Sequence, residues 1–190
     1  MTSLERALIK LAQTLSDNGI PYMIIGGMAN AVWGEPRATL DIDVTIWFKE
    51  KEINRIVSFL AGLFRPLVSD PAGFVQDTSV LPLESEDGVR IDLIFARLSF
   101  EREAISRAVK IKVGGTPVYF CSPEDLILHK IISDRERDQG DARGVAVRRM
   151  KSLDLNYLEP RIRELAIALE RPEIWESWAE WKQKAEGRDG

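Results

Sequence analysis

The chain has 190 residues, a mass of 21.5 kDa and 45% hydrophobic content, the profile of one good-sized folded domain or of a domain with an appendage, which excludes disorder as its main state. Lys and Arg number 26 against 30 Asp and Glu, a net charge of -4, so the chain is no basic wrapper of DNA or of an anionic membrane. A single Cys121 and a single His129 exclude an intrachain disulfide, a multi-cysteine zinc site and a two-histidine metal site, and point to a reducing, cytoplasmic setting.

Thr2 and Glu5 have the spacing of a capping box, and Leu4, Ala7, Leu8, Leu11 and Leu15 follow at helical period, so a first helix is expected to run to about Gly19. Its charges interrupt any signal-peptide or membrane-span pattern, and no membrane association is expected. Tyr22 to Ile25 reads as a short buried strand, Gly26-Gly27 as its stop, and Met28 to Trp33 as a short helix. Gly34 to Leu40 reads as a loop, Asp41 to Phe48 as a half-buried strand, and Lys51 to Leu63 as a helix. Phe64 to Gly73 carries no clear pattern. Thr78 to Glu84 and Val89 to Ala96 flank a Ser-Glu-Asp-Gly turn and predict a hairpin. Ser99 to Val109 reads as a helix and Lys110 to Cys121 as strand pieces broken at Gly114-Gly115. Ser122-Pro-Glu-Asp is a strong helix start, after which the chain reads as all helical, with Asn156 expected to cap another helix that has Pro160 in its first turn, and a last helix expected from Glu173 to Lys184.

Chemistry concentrates in the first half. Asp41 and Asp43 are two apart on a strand, so both leave one face while Ile42 and Val44 point into a core. Asp92 has the same setting between Ile91 and Leu93. Acids so placed are expensive unless paired or metallated, and oxygen-only ligands suit Mg²⁺, two of which can clamp the attacking and leaving oxygens of a phosphoryl transfer. Gly26-Gly27, between a strand and a helix, offers backbone N-H groups to a phosphate. Either feature alone reads first as a solvated edge or a plain turn; their order, with Asp41 fourteen residues after Gly27, is far more specific.

The run Ile25-Gly-Gly-Met-Ala-Asn-Ala-Val-Trp-Gly-Glu-Pro-Arg-Ala-Thr-Leu-Asp-Ile-Asp-Val resembles the signature of the DNA polymerase beta-like nucleotidyltransferases, in the branch of AbiEii-type toxin enzymes and their uncharacterised relatives. The Gly-x-x-Arg-x-Thr-x-Asp-x-Asp spelling from Gly34 to Asp43 points to that branch. The resemblance implies an α/β (α+β) fold, a mixed sheet flanked by helices with a helical C-terminal part. It implies a catalytic core over 1–121 and a helical part over 122–190 that contributes Lys130. By the same match Gly26, Gly27, Arg37, Thr39 and Lys130 become nucleotide-binding. Asp41, Asp43 and Asp92 become catalytic and metal-binding, Asp92 serving the acceptor hydroxyl. The cofactor implied is Mg²⁺, two ions, with Mn²⁺ as a substitute, and the substrate an NTP such as ATP. The activity implied is transfer of NMP to a hydroxyl of RNA or tRNA, toxin-like, with a cognate antitoxin or toxin as partner. The alternatives are an antitoxin-like protein AMPylator and a non-catalytic nucleotide- or partner-binding member.

On a helical wheel Lys130 falls at the edge of the apolar arc, where a lysine wants an anion. A triphosphate is one candidate; Asp134, or Asp138 and Asp141, are the ion-pair alternative. His129 lies off that arc and reads as a surface residue. Trp175, Trp178 and Trp181 recur every three residues, the mark of a packed helix or of a subunit contact through which the chain would oligomerise. Residues 130 to 151 hold seven basic and four acidic side chains, a local surplus that reads first as a solvated helix face, although an acceptor RNA would find its phosphate contacts there.

Overall fold

Thr2 Oγ1 accepts from the Glu5 N-H at 3.1 Å and Glu5 Oε2 accepts from the Thr2 N-H at 2.7 Å, closing the capping box that starts helix α1, Ser3–Asp17. Ala7, Leu8, Leu11, Ala12 and Leu15 form its buried stripe. The computed structural model describes residues 1–187, which fall into two units: Met1–Met28 with Ala38–Cys121, and Ala29–Arg37 with the chain from Ser122 on.

The first unit is built on a sheet. Its strands are β1 (Tyr22–Ile24), β2 (Asp41–Ile46), β3 (Arg65–Pro66), β4 (Val80–Glu84), β5 (Arg90–Phe95), β6 (Val109–Val113) and β7 (Thr116–Phe120). Among the described residues these seven make one mixed sheet in the order β3-β4-β5-β2-β1-β7-β6. The β4–β5 and β6–β7 hairpins pair antiparallel, whereas β2 with β5 and β1 with β7 are parallel. Ile42, Val44, Ile46, Ile91 and Leu93 on the two central strands are fully buried and carry the core. Along β6 the outer residues Lys110 and Lys112 alternate with half-buried Val109, Ile111 and Val113. Helices α3 (Ile53–Ala61), α4 (Pro71–Thr78) and α5 (Ser99–Ser106) complete the unit. The strand β3 and helix α4 occupy the stretch whose pattern is unclear in sequence; α4 starts because Asp70 accepts from the Gly73 N-H and Pro71 stands at the first helical turn.

Helix α2, Gly26–Trp33, starts on the glycine pair itself, so Gly26-Gly27 forms the first turn of the helix and not a separate turn before it. Its residues from Ala29 on group with the second unit. That unit holds α6 (Pro123–Ile131), α7 (Glu136–Arg149), α8 (Leu155–Ala168) and α9 (Glu173–Glu186). Ser122 caps α6 through the Asp125 N-H, as its sequence demands. Helix α8 begins two residues earlier than a cap at Asn156 would start it, because Asp154 is the cap, accepting from the Tyr157 N-H, and Pro160 therefore lies inside the helix. Leu126, Ile127, Val145, Leu158, Ile162 and Trp178 are fully buried and form the unit's centre. Trp181 is also buried, and Trp175 stacks under Arg163, so the tryptophan stripe is spent on packing within its own unit. No described helix is long and apolar enough to cross a membrane.

Trp178→Ala is expected to destabilise the helical unit by about 3–5 kcal/mol, because it empties a fully buried indole site. Urea denaturation followed by far-UV circular dichroism checks this; a loss under 1 kcal/mol, roughly the value for a surface change, contradicts it.

Candidate active site

Parallel pairing of β2 with β5 places Asp41 beside Arg90, Ile42 beside Ile91, and Asp43 beside Asp92. Because side chains alternate across a strand, Asp41, Asp43, Arg90 and Asp92 all leave one face. Neighbouring strands are about 4.8 Å apart and alternate residues about 7 Å apart, so the four side chains stand at the corners of a small rectangle. Ile42, Val44, Ile91 and Leu93 leave the opposite face, all fully buried, and hold the strands in place.

Each corner has a defined partner. Thr39 Oγ1 donates to Asp41 Oδ1 at 2.7 Å and fixes that carboxylate. Arg90 donates through Nε to both oxygens of Asp92 at 3.1 Å, with Nη2 3.0 Å from Oδ1. The hydrogen bond and charge of Asp92 raise the Arg90 pKa, opposed by slight burial and helped by the charges of Asp41 and Asp43. Asp43 stands against Gly26: the Ile25 N-H donates to the Asp43 carbonyl at 2.9 Å, which brings the next residue onto the Asp43 side chain. A Cβ at Gly26 would collide with Asp43 Oδ2, and Gly26 has φ +63°, so two independent constraints demand glycine there. This puts the first turn of α2, where backbone N-H groups lack helical partners, next to a carboxylate of the rectangle.

Hard divalent cations suit this donor set. Mg²⁺ takes one or two carboxylates and completes its shell with water and substrate phosphates, and Asp41 and Asp43 offer such a pair on a rigid strand. Among the described residues no three His, Cys, Asp or Glu side chains converge on one metal position, and Asp92 is closed on Arg90.

Arg37 and Lys130 belong to the second unit. Lys130, 6% exposed, places Nζ 2.7 Å from Asp138 Oδ1 and 2.8 Å from Asp141 Oδ2, the ion-pair alternative open in the sequence. Arg37 grips Asp141 through Nε and Nη2, at 3.0 Å for the closest contact. The Asn30 amide donates to Asp141 Oδ1 and to the Glu35 carbonyl, while Asn30 Oδ1 and Arg37 Nη1 are buried without a partner among the described residues. Gly34 closes the group, since a Cβ there would strike Asn30 Oδ1 and Val145. Burial pushes the Asp138 and Asp141 carboxyls up, but hydrogen bonds from Lys130 and Ser133 to the first, and from Arg37 and Lys130 to the second, outweigh it and hold both below the usual carboxylate range. Asp134 pairs with Arg171 at 2.7 Å. His129 is half-buried.

The family model described as "Nucleotidyltransferase of unknown function (DUF6036)" matches residues 3–186. The chain belongs to this nucleotidyltransferase family. No curated protein matches its sequence. Among solved structures, an antigenic nucleotidyltransferase-like protein from Paracoccidioides brasiliensis is 18% identical, covering 93% of this chain and 92% of its own, with a TM-score of 0.57. The antibiotic-resistance factor ANT(2'')-Ia is 18% identical over 90% of this chain and 95% of its own, TM-score 0.56. The lincosamide antibiotic adenylyltransferase LnuA, bound to lincomycin, is 15% identical over 76% of this chain and 96% of its own, TM-score 0.53. At these identities the likeness shows a shared nucleotidyltransferase fold.

Two residues with a part in these groups carry sequence signals of unequal strength. Arg90 shares the period-two face of Asp92 and is visible by that rule; Asn30 sits on a short helix with nothing in its spacing to single it out.

Gly26→Ala is expected to cost about 1–3 kcal/mol from backbone strain and to weaken nucleotide binding by displacing Asp43. Thermal melts and nucleotide titration of the variant check both. Lys130→Met keeps the packed stem and removes one of the cations on Asp138 and Asp141, which keep Arg135 and Arg37, so a loss of about 1–3 kcal/mol is expected at neutral pH. Because the wild-type carboxyls are depressed, their stabilisation is full above the unfolded value of about 3.9 and is lost as pH falls through the folded value. The deficit of Lys130→Met should therefore shrink on acidification, which urea denaturation at neutral and acid pH measures. Unchanged stability together with lost NTP binding would return Lys130 to the triphosphate.

Proposed function

We propose that this nucleotidyltransferase moves NMP from an NTP to an acceptor hydroxyl, with divalent metal held by Asp41 and Asp43 and completed by Asp92. The observation that carries this reading is the β2–β5 register, which puts the three acids on one face with Gly26 packed on Asp43. Bound Mg²⁺ would supply charge neutralisation and Lewis-acid activation at the α-phosphate. Thr39 keeps the Asp41 carboxylate oriented, and the packed strand keeps both acids from having to reorganise. The N-H groups of Gly26 and Gly27 receive phosphate oxygens at the helix start. The acceptor oxygen attacks the α-phosphorus, the bond to the bridging α–β oxygen breaks, pyrophosphate leaves, and the acceptor proton passes to Asp92. Within the second unit, Arg37 and Lys130 hold residues 29–37 to Asp141.

The acceptor we favour is a terminal hydroxyl of RNA such as tRNA, on the strength of the likeness to AbiEii-type enzymes, with the toxin-like role that likeness carries. A second reading, a small-molecule hydroxyl, is favoured by a specific observation. In the basic run, Lys130 pairs with buried Asp138 and Arg149 donates to the carbonyls of Val32 and Trp33, so two of its seven charges are turned inward. Solved structures of similar fold include antibiotic adenylyltransferases.

Incubation with each labelled NTP, Mg²⁺, and either total RNA or a small-molecule extract separates the two readings by which fraction takes the label. Asp41→Asn and Asp43→Asn are each expected to fold normally and to lose about 100-fold or more in transfer rate, by analogy with removal of one charge-stabilising group from an active site. Transfer near the wild-type rate in either variant sinks the metal assignment. Label on a protein hydroxyl alone would make the enzyme a protein AMPylator.

A further inference from the structure

We propose that Arg90 is the resident counter-cation of the carboxylate face, which a metal ion must displace from Asp92, so that the ion enters together with the nucleotide and not ahead of it. This rests on the metal-site reading above. Arg90 stands directly across from Asp41 and, two residues before Asp92, shares its face; the guanidinium closes on both Asp92 oxygens. An arginine cannot shed its proton in a protein, so this positive charge stays beside the acids at every working pH. It satisfies the acid that would otherwise face two like charges from the adjoining strand, and it occupies the oxygens that a metal needs.

The contact is also built to yield. The Arg90 side chain is 58% exposed and that of Asp92 23%, so the pair faces solvent on the arginine side and is worth little. A free hydrated Mg²⁺, which surrenders its waters reluctantly, gains only Asp41 and Asp43 while Arg90 holds the third acid. An ion arriving with a triphosphate brings phosphate ligands already in place, and the phosphates offer the released guanidinium new acceptors. Arg90 thus acts as a positioning residue that sets the order of loading.

The test is Mn²⁺ binding, read by loss of the free-ion paramagnetic resonance signal, for wild type, Arg90→Gln, Arg90→Lys and Asp43→Asn. Each is titrated without nucleotide and with a non-hydrolysable NTP analogue. Without nucleotide, Arg90→Gln should bind Mn²⁺ about two- to fivefold tighter than wild type, the equivalent of one exposed ion pair, with Arg90→Lys between them. With the analogue the gap should close. In chelator, Arg90→Gln should melt below wild type and recover when Mn²⁺ is added, a readout independent of turnover. If Asp43→Asn loses Mn²⁺ binding while Arg90→Gln matches or falls below wild type, the Arg90 inference fails and the metal site stands. If Asp43→Asn binds Mn²⁺ like wild type, the metal-site reading fails. A gap of equal size with and without the analogue would overturn the shared entry of ion and nucleotide.

Discussion

The pairing of two strands distant in sequence sets the chemistry of the first unit. Parallel hydrogen bonding of β2 and β5 in a single register aligns Asp43 with Asp92 and Asp41 with Arg90. A slip of one residue would turn Arg90 and Asp92 into the core and Ile91 and Leu93 out to solvent. The register is therefore enforced by burial: fully buried Ile42, Val44, Ile91 and Leu93 forbid the alternatives, and the acids inherit their arrangement from the apolar side chains between them. The β1 strand adds the next element by the same logic, since its antiparallel pairing with β2 delivers Gly26 to Asp43.

The second unit solves a different problem. Two aspartates and a lysine are largely removed from water there, with a half-buried arginine beside them, a loss of hydration that only dense mutual contact offsets. Asp141 is the hub: it takes Lys130, both nitrogens of the Arg37 fork, and the Asn30 amide, so a helix from late in the chain fixes a segment from its first quarter. A buried group of that kind rewards one arrangement and penalises every partial one, which makes the placement of residues 29–37 a matter of charge complementarity as much as of packing.

Much of this is legible in the sequence because it follows local rules. The period-two acids of β2, the Ser122-Pro123 helix start and the hairpin around Gly88 each depend on neighbours a few residues away. The signal for α4, Asp70 followed by Pro71, is present too, though too short an apolar pattern follows it to stand out. What is not legible is which distant pieces meet. Helical spacing offers Asp134 as the partner of Lys130, one turn on, but α6 ends at Ile131, so Asp134 leaves the helix and pairs with Arg171 while α7 supplies Asp138 and Asp141. The contact of Gly26 with Asp43 is hidden for the same reason: the glycine pair reads locally as a turn, and only the strand pairing reveals the carboxylate pressed against it.

The two outer strands of the sheet bear on how the protein keeps to itself. An unpaired strand edge is a template onto which another chain can add, the first step towards intermolecular sheet growth. One edge here is β3, only two residues long and ending in a proline that has no amide proton to lend. The other, β6, carries Lys110 and Lys112 at exposed positions, so a second copy laid alongside would bring like charges together. With both rims blunted, strand-by-strand polymerisation is disfavoured at each side, and the long central pairing can be as apolar as its fixed register requires.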